Sequence, residues 1–204
     1  MENLRSRISP HFTFNVLGRE INQFNGSEEV KHNLMELVKY LRRSLELTEK
    51  LSVSLQDELD FVRTYIELER GRVGEDFVAT VTVEDGLDAT RIMIPSMIVQ
   101  IPVENAIKHG LAGKDGKKEL SVYVSRETNG IRITVTDNGR GYLPQVVSTT
   151  RGTGTGLKVL YQTIQLLNTK NKSDKIRFDI TNRSDGQTGT EVSVYIPFRF
   201  SYDL

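Results

Sequence analysis

The sequence has no cysteine. That excludes disulfides and thiolate metal sites, and it fits a reducing compartment. Neither sign of charge is in excess: Lys plus Arg and Asp plus Glu number 27 each, so nothing electrostatic points to nucleic acid or an anionic membrane surface as a partner. No apolar run approaches the roughly 20 residues of a membrane span. The first residues, MENLRSRISPHF, lack the apolar core of a signal peptide. Internal repeats and low-complexity tracts are also missing. These absences point to a soluble, cytoplasmic chain, and its abrupt start in helix-like sequence is that of a fragment. A length of 204 residues holds one large domain, or a compact domain with a small appendage.

What is present divides near residue 50. Leu4, Ile8, Phe12, Phe14, Val16, Leu17, Ile21 and Phe24 recur mostly three or four apart, an amphipathic helical pattern. Pro10 kinks this helix or sits near its start. Asn25-Gly26-Ser27 breaks it, and Ser27 is placed to cap a second helix carrying Val30, Leu34, Leu37, Val38, Leu41, Leu45 and Leu47. Two helices alone make a thin core, so they either pack as a hairpin or pair with a second copy as a four-helix bundle. A third helix is expected from Leu55 to Arg72, capped by Ser54 and ended by Gly71 and Gly74. Beyond it the pattern predicts a strand over Phe77–Val83, a turn at Asp85-Gly86 and a helix over Pro95–His109 stopped by Gly110. Leu120–Arg126 and Ile131–Asp137 read as a hairpin turned by Asn129-Gly130. A polar loop over Tyr142–Arg151, a helix over Gly156–Leu167 and a last strand pair, Ile176–Asn182 with Glu191–Pro197, complete the chain. The fold class is α+β: an N-terminal helical hairpin, then a two-layer α/β sandwich of helices on antiparallel strands.

Three short segments suit nucleotide binding. In Val103-Glu104-Asn105-Ala106-Ile107-Lys108-His109, polar residues crowd a predicted helix whose preceding turn is apolar. They form either a solvated face or a site with Asn105 oxygen on Mg²⁺ and Lys108 near phosphate; a hard cation that keeps its waters needs few protein ligands. Asp137-Asn138-Gly139-Arg140-Gly141 follows a strand directly. It is either a plain turn or a place where Asp137 accepts a hydrogen bond from the exocyclic amino group of a base, with Gly139 and Gly141 letting backbone approach the ring. Gly152-Thr153-Gly154-Thr155-Gly156-Leu157 leads into a helix, where free backbone N–H groups and the helix dipole favour phosphate. The segment lacks the GK[ST] ending of a Walker loop and the βαβ setting of a dinucleotide fingerprint.

In this order, the three segments resemble the N, G1 and G2 boxes of the ATPase superfamily that includes gyrase, heat-shock chaperones, histidine kinases and mismatch-repair ATPases. Pro10-His11-Phe12-Thr13-Phe14-Asn15 resembles the phosphoacceptor motif of LytS-like sensor histidine kinases. Leu4, Leu17, Leu55, Glu58, Leu59, Tyr65, Ile66, Leu68, Glu69, Arg72, Ile94-Pro95 and Gln100 extend the likeness over nearly the whole chain. There are departures. The proline before Glu104 is Pro102, one position later than usual; Arg7 replaces a common Gln; and Ile101 stands where many relatives carry a second polar residue, so only Asn105 is offered to the metal.

The resemblance implies residues 1–50 as a dimerisation and phosphoacceptor hairpin and 51–204 as an ATP-binding catalytic domain. His11 is then the phosphoacceptor, and ATP and Mg²⁺ are the cofactors. The nucleotide contacts fall to Asn105, Lys108, His109, Asp137, Gly139, Gly141, Gly152, Thr153, Gly154, Thr155, Gly156 and Leu157. The implied partners are a second copy of the chain and a response regulator of the LytTR type, with a membrane reached only through upstream helices outside this sequence.

An unprotonated imidazole is a competent nucleophile near neutral pH, so positioning and charge neutralisation are the enzyme's main tasks. Glu104 is expected to act on His11 as general base or to orient it. Asn15, four residues after His11, shares its helix face and either places a water for dephosphorylating the regulator or is an ordinary surface residue. Of the other histidines, His32 reads as solvated and His109 as a partly positive imidazole favoured by its helix C-terminus. Loop 142–151 is expected to close over ATP as a lid, with Arg140 and Arg151 on phosphate or in solvent. The competing functions are a non-kinase ATPase of the same superfamily and a dimeric scaffold with a degenerate site.

Overall fold

In a computed structural model the described residues are 10–23, 26–142, 155–171 and 174–203, without the side chains of 10–13, 15, 16 and 155. The chain divides into two compact units between Glu49 and Lys50.

The first unit is a pair of helices packed on each other, α1 (Pro10–Gln23) and α2 (Glu28–Thr48). Pro10 is the first described residue of α1. Ser27 caps α2 as its position predicts, accepting from Val30 N–H at 3.3 Å. Among the described residues of this unit only Ile21, Val38 and Leu47 are buried apolar side chains, while Leu17, Val30, Leu37, Leu41 and Leu45 remain exposed. Two helices cannot cover both their own stripes.

The second unit opens with β1 (Ser52–Ser54) and α3 (Leu55–Val73). Then follow β2 (Phe77–Val83), β3 (Met93–Pro95) and α4 (Gln100–Asn105), with a π-helical turn over Ala106–Gly110. Strands β4 (Lys118–Glu127) and β5 (Gly130–Asp137), helix α5 (Thr155–Lys170), β6 (Arg177–Asn182) and β7 (Thr190–Pro197) complete it. Five strands form one sheet in the order β2-β4-β5-β7-β6, and β1 pairs with β3 in a separate ribbon. Along β4, β5 and β7 burial alternates: Val122, Val124, Ile133, Val135, Val192 and Val194 turn inward and are nearly inaccessible. Leu59, Val62 and Ile66 of α3, Val103 and Ile107 of the α4 segment, and Leu160, Ile164 and Leu167 of α5 complete the core. The other sheet face carries residues such as Thr80, Ser121, Thr134 and Ser193. This is the expected two-layer arrangement.

Four expectations need correction. First, the sheet is mixed, because β2 and β4 are parallel: the connection between them crosses over through β3 and α4, which a parallel pair requires. Second, the helix expected over Pro95–His109 begins only at Gln100. Ile94-Pro95 is drawn into the ribbon with β1 (Val53 opposite Ile94, Ser52 opposite Pro95), and a turn with Met97 at φ 66° intervenes. Pro102 then falls in the first turn of α4, where proline is tolerated. Third, the hairpin loop is Thr128-Asn129, with Glu127 opposite Gly130, and neither loop residue has positive φ. Gly130 is instead demanded by packing: a Cβ there would lie 2.3 Å from Ile196 O. Fourth, Gly110 closes the π turn without positive φ, so it is not a left-handed stop. Of the expected lid, 142–151, residues 143–151 lie outside the described residues.

Candidate nucleotide-binding site

Asp137 is the last residue of β5, and only 4% of it is exposed. Its Oδ1 accepts from Gly139 N–H at 2.8 Å, and the backbone and hydroxyl of Thr190, at the start of β7, favour its charged form. Burial pushes the Asp137 carboxyl above its ordinary range. The Gly139 and Thr190 donors, with the Arg183 charge, pull the other way without cancelling it.

The carboxylate sits where no side chain other than glycine's fits. A Cβ on Gly110 would meet Oδ1 at 2.8 Å, one on Gly139 would meet Gly110 O at 2.1 Å, and one on Gly189 would meet Asp137 O at 1.9 Å. Close backbone packing therefore brings the end of the π turn and the Asp-Asn-Gly turn against the Asp137 carboxylate, and the residue before β7 against the Asp137 backbone carbonyl. Arg140 locks the first two: its N–H donates to Gly110 O at 3.3 Å, and its Nε to His109 O at 2.7 Å. The Arg140 side chain thus serves the backbone rather than lying free in solvent. Gly141 takes φ 85°, and Asn182 grips the residue after it, accepting from Tyr142 N–H at 2.6 Å and donating to Tyr142 O at 3.2 Å. Asn138 faces away from the carboxylate; its side chain bonds Glu119 N–H at 2.8 Å and Lys117 O at 3.0 Å, stitching the turn to β4.

On α4 and the π turn, Glu104, Asn105, Lys108 and His109 follow in sequence. Lys108 Nζ lies 2.9 Å from Glu104 Oε2 and 5.9 Å from the Tyr65 ring centroid. Gln100 Nε2 donates to Glu104 Oε1 at 3.2 Å. Both members of the Glu104–Lys108 pair are partly exposed, so water screens their attraction and little is lost when they part. His109 is held below the usual imidazole range by burial and by the Arg140 and Lys108 charges. This corrects the expected partly positive imidazole: desolvation and two neighbouring cations outweigh the helix C-terminus. His32 is exposed, as expected.

Asn105 Nδ2 is buried and has no hydrogen-bond partner among the described residues. Side-chain amide oxygen and nitrogen exchange places by a flip, so this carboxamide is a polar group with no commitment to the protein, as a single metal-ligating oxygen would be. Among the described residues no cluster of three or more His, Cys, Asp or Glu stands ready to hold a metal. One neutral oxygen fits Mg²⁺ that keeps its waters and arrives with phosphate.

α5 begins at Thr155. A Cβ on Gly156 would meet the Ile101 side chain at 3.5 Å, which seats the helix start beside α4; Leu157 is half-buried. Gly152, Thr153 and Gly154 lie outside the described residues, as do the side chains of Thr155, His11 and Asn15. His11 and Asn15 are placed only as backbone of α1, in the other unit.

Sequence reasoning named Glu58 only within the resemblance and gave it no role, and it missed Thr190 and the contact roles of Gly110 and Gly189. Gly189-Thr190 is legible only as part of a Gly-rich turn, and nothing local marks it as facing Asp137. Glu58 is wholly buried and accepts three backbone N–H groups, from Met97 at 3.0 Å and from Val99 and Gln100 at 3.1 Å each.

A buried carboxylate packed against Gly110 and Gly139 thus stands at the meeting of a short helix and a mixed sheet. The family described as histidine kinase-, DNA gyrase B-, and HSP90-like ATPase matches residues 90–199, and the histidine kinase family matches 1–77. The chain belongs to the histidine kinase-, DNA gyrase B-, and HSP90-like ATPase family. It is 30% identical over 207 residues to the sensor histidine kinase/phosphatase LytS of Staphylococcus aureus, covering 97% of this chain and 34% of that protein. It is 29% identical over 195 residues to the sensor histidine kinase YpdA of Escherichia coli, covering 95% of this chain and 33% of that one. The chain thus spans about a third of the length of these curated relatives. The fold is similar to the histidine kinase domain of the Erythrobacter litoralis EL346 blue-light activated kinase, at TM-score 0.53 and 18% identity, over 91% of this chain and 95% of that one.

Proposed function

We propose that this chain is the catalytic portion of a two-component sensor histidine kinase. It binds ATP, transfers the γ-phosphoryl group to His11, and passes it to an aspartate of a response regulator of the LytTR type. The observation that carries this reading is the buried Asp137 carboxylate, walled by Gly110 and Gly139, in a chain whose other unit bears Pro10-His11-Phe12.

Asp137 accepts the exocyclic amino hydrogen of adenine, and Gly139 and Gly141 leave room for the ring. The amides of Gly152–Gly156, at and before the start of α5, surround phosphate oxygens, with Thr153, Thr155 and Leu157 shaping that loop. Asn105 offers its oxygen to Mg²⁺, which supplies charge neutralisation at the phosphates when bound. Lys108 turns from Glu104 to phosphate and leaves Glu104 Oε2 open. His109, neutral, lines the same end of the helix. A neutral imidazole nitrogen of His11 then forms the N–P bond as the bond to the β-phosphate oxygen breaks, and ADP leaves. Glu104 holds or takes the proton on the other ring nitrogen. Asn15 places a water for the reverse traffic, hydrolysis of the regulator's phospho-aspartate.

The exposed stripe Val30, Leu37, Leu41 and Leu45 of α2 supports pairing with a second copy into a four-helix bundle. No helix among the described residues is long and apolar enough to cross a membrane; the anchor of the proposed full-length kinase is upstream, with this portion on the cytoplasmic side. The test is incubation with γ-labelled ATP and Mg²⁺. Acid-labile, base-stable label that disappears in His11→Ala is expected. ATP hydrolysis without such label points to a non-kinase ATPase, and no nucleotide binding points to a scaffold.

A further inference from the structure

α4 begins without a cap of its own. Its N-cap position is Val99, at φ −95° and ψ −40°, whose own side chain makes no cap hydrogen bond. The turn before it holds Met97 at φ 66°, a conformation uncommon outside glycine. The first N–H groups of a helix have no intrahelical partners, and here they are met from a different element. Glu58 of α3 accepts Val99 and Gln100 N–H at Oε1 and Met97 N–H at Oε2. Seven residues on, the Tyr65 ring of α3 lies under Lys108. The opposite end of this segment is pinned by Gly110 against Asp137. Between the two pins run Gln100, Glu104 and Lys108, joined side chain to side chain, with Asn105 next to Glu104.

A buried carboxylate is costly to desolvate. A carboxylate at this place instead ties three backbone N–H groups, of Met97, Val99 and Gln100, to one point on α3. We propose that Glu58 is a positioning residue for phosphoryl transfer: by capping α4 from α3 it holds Glu104 and Asn105 in the geometry the reaction needs. The inference rests on the kinase reading above.

The test compares the whole chain with Glu58→Ala and Glu58→Gln in three measurements: phosphohistidine formation at varied Mg-ATP, calorimetric ADP binding, and amide hydrogen exchange. In Glu58→Ala the kcat should fall on the order of 100-fold, as misplacement by an ångström does. KM and ADP affinity should stay within about threefold, because adenine is held at the other pin. Exchange should quicken at residues 97–105 and stay unchanged along β4 and β5. Glu58→Gln keeps an oxygen for Val99 and Gln100 and should recover about tenfold of the loss. An unchanged kcat overturns the proposal. So does a joint fall of kcat and ADP affinity with protection lost throughout the sheet, the signature of a merely structural residue. If the alanine variant does not fold, the glutamine variant decides on the same kcat-against-ADP split. If the unmodified chain makes no phosphohistidine, the kinase reading fails by itself, and the exchange and ADP measurements still decide whether Glu58 holds α4.

Discussion

Replacing Gly110 by alanine tests the site at its tightest point. The new Cβ would stand 2.8 Å from Asp137 Oδ1, 2.9 Å from Cγ and 3.0 Å from Oδ2. An ordinary carbon–oxygen contact starts near 3.4 Å, so carboxylate or backbone must yield by about half an ångström. The backbone has little freedom to do so, because Arg140 holds both Gly110 O and His109 O. The carboxylate is held by Gly139 and Thr190. Overpacking of this kind costs about 1–3 kcal/mol of stability. Displacing a charged acceptor from its base costs about 1.5–3 kcal/mol of binding, which is roughly a 10- to 150-fold rise in the ADP dissociation constant. Titration calorimetry with ADP and thermal unfolding of the same samples measure both. An alanine variant that binds ADP within about threefold of the unmodified chain would refute the claim that Asp137 reads the base from behind Gly110.

The remaining predictions use other parts of the chain. Burial raises the Asp137 carboxyl, so ADP affinity should fall as pH drops through that raised value, above the range of an ordinary carboxylate; the apo chain should respond oppositely. A raised folded pKa contributes stability that is present below the unfolded value and lost as pH rises through the folded one, and calorimetry against pH separates the two trends. Glu104→Gln should lower autophosphorylation by about 100-fold or more if Glu104 serves as general base while ADP binding holds; unchanged labelling rejects that role. Asn15→Ala should leave phosphohistidine formation intact and slow regulator dephosphorylation, read by loss of label from phospho-regulator; an unchanged rate returns Asn15 to the helix surface. Ser54 accepts from Asp57 N–H at 3.0 Å and donates to Asp57 Oδ2 at 2.8 Å. Ser54→Ala should therefore cost about 1 kcal/mol, a fall of roughly 2–4 °C in Tm for a unit of this size, without altering ADP affinity.

Much of the architecture was legible locally. Helix α3 could be read from Ser54 to Gly74 because its caps are single residues acting within one turn. Strands β4, β5 and β7 could be read because inward and outward residues alternate at period two. The three glycine- and Asn-bearing segments could be picked out as candidates because a nucleotide site would demand particular residue types close together in the chain. What failed depended on partners far away in sequence. Gly110 reads as a helix stop, yet its neighbour is Asp137. Asn129-Gly130 reads as a loop, yet Gly130 is required by Ile196 across the sheet. Ile94-Pro95 reads as the start of a helix, yet it pairs with β1.

Glu58 marks the boundary most clearly. Its position in the pattern of α3 says only that it shares a helix with Leu55, Leu59 and Tyr65; that it caps a helix some forty residues on follows only once α3 and α4 are packed together. Composition, periodicity and short motifs therefore determined most of the helices and strands and which segments resemble a known family, since propensity, capping and burial period act over a few residues. Folding alone decided which glycines must be glycine, which carboxylate is buried and which helix is capped from elsewhere, because close approach and desolvation are properties of atoms brought together from distant parts of the chain.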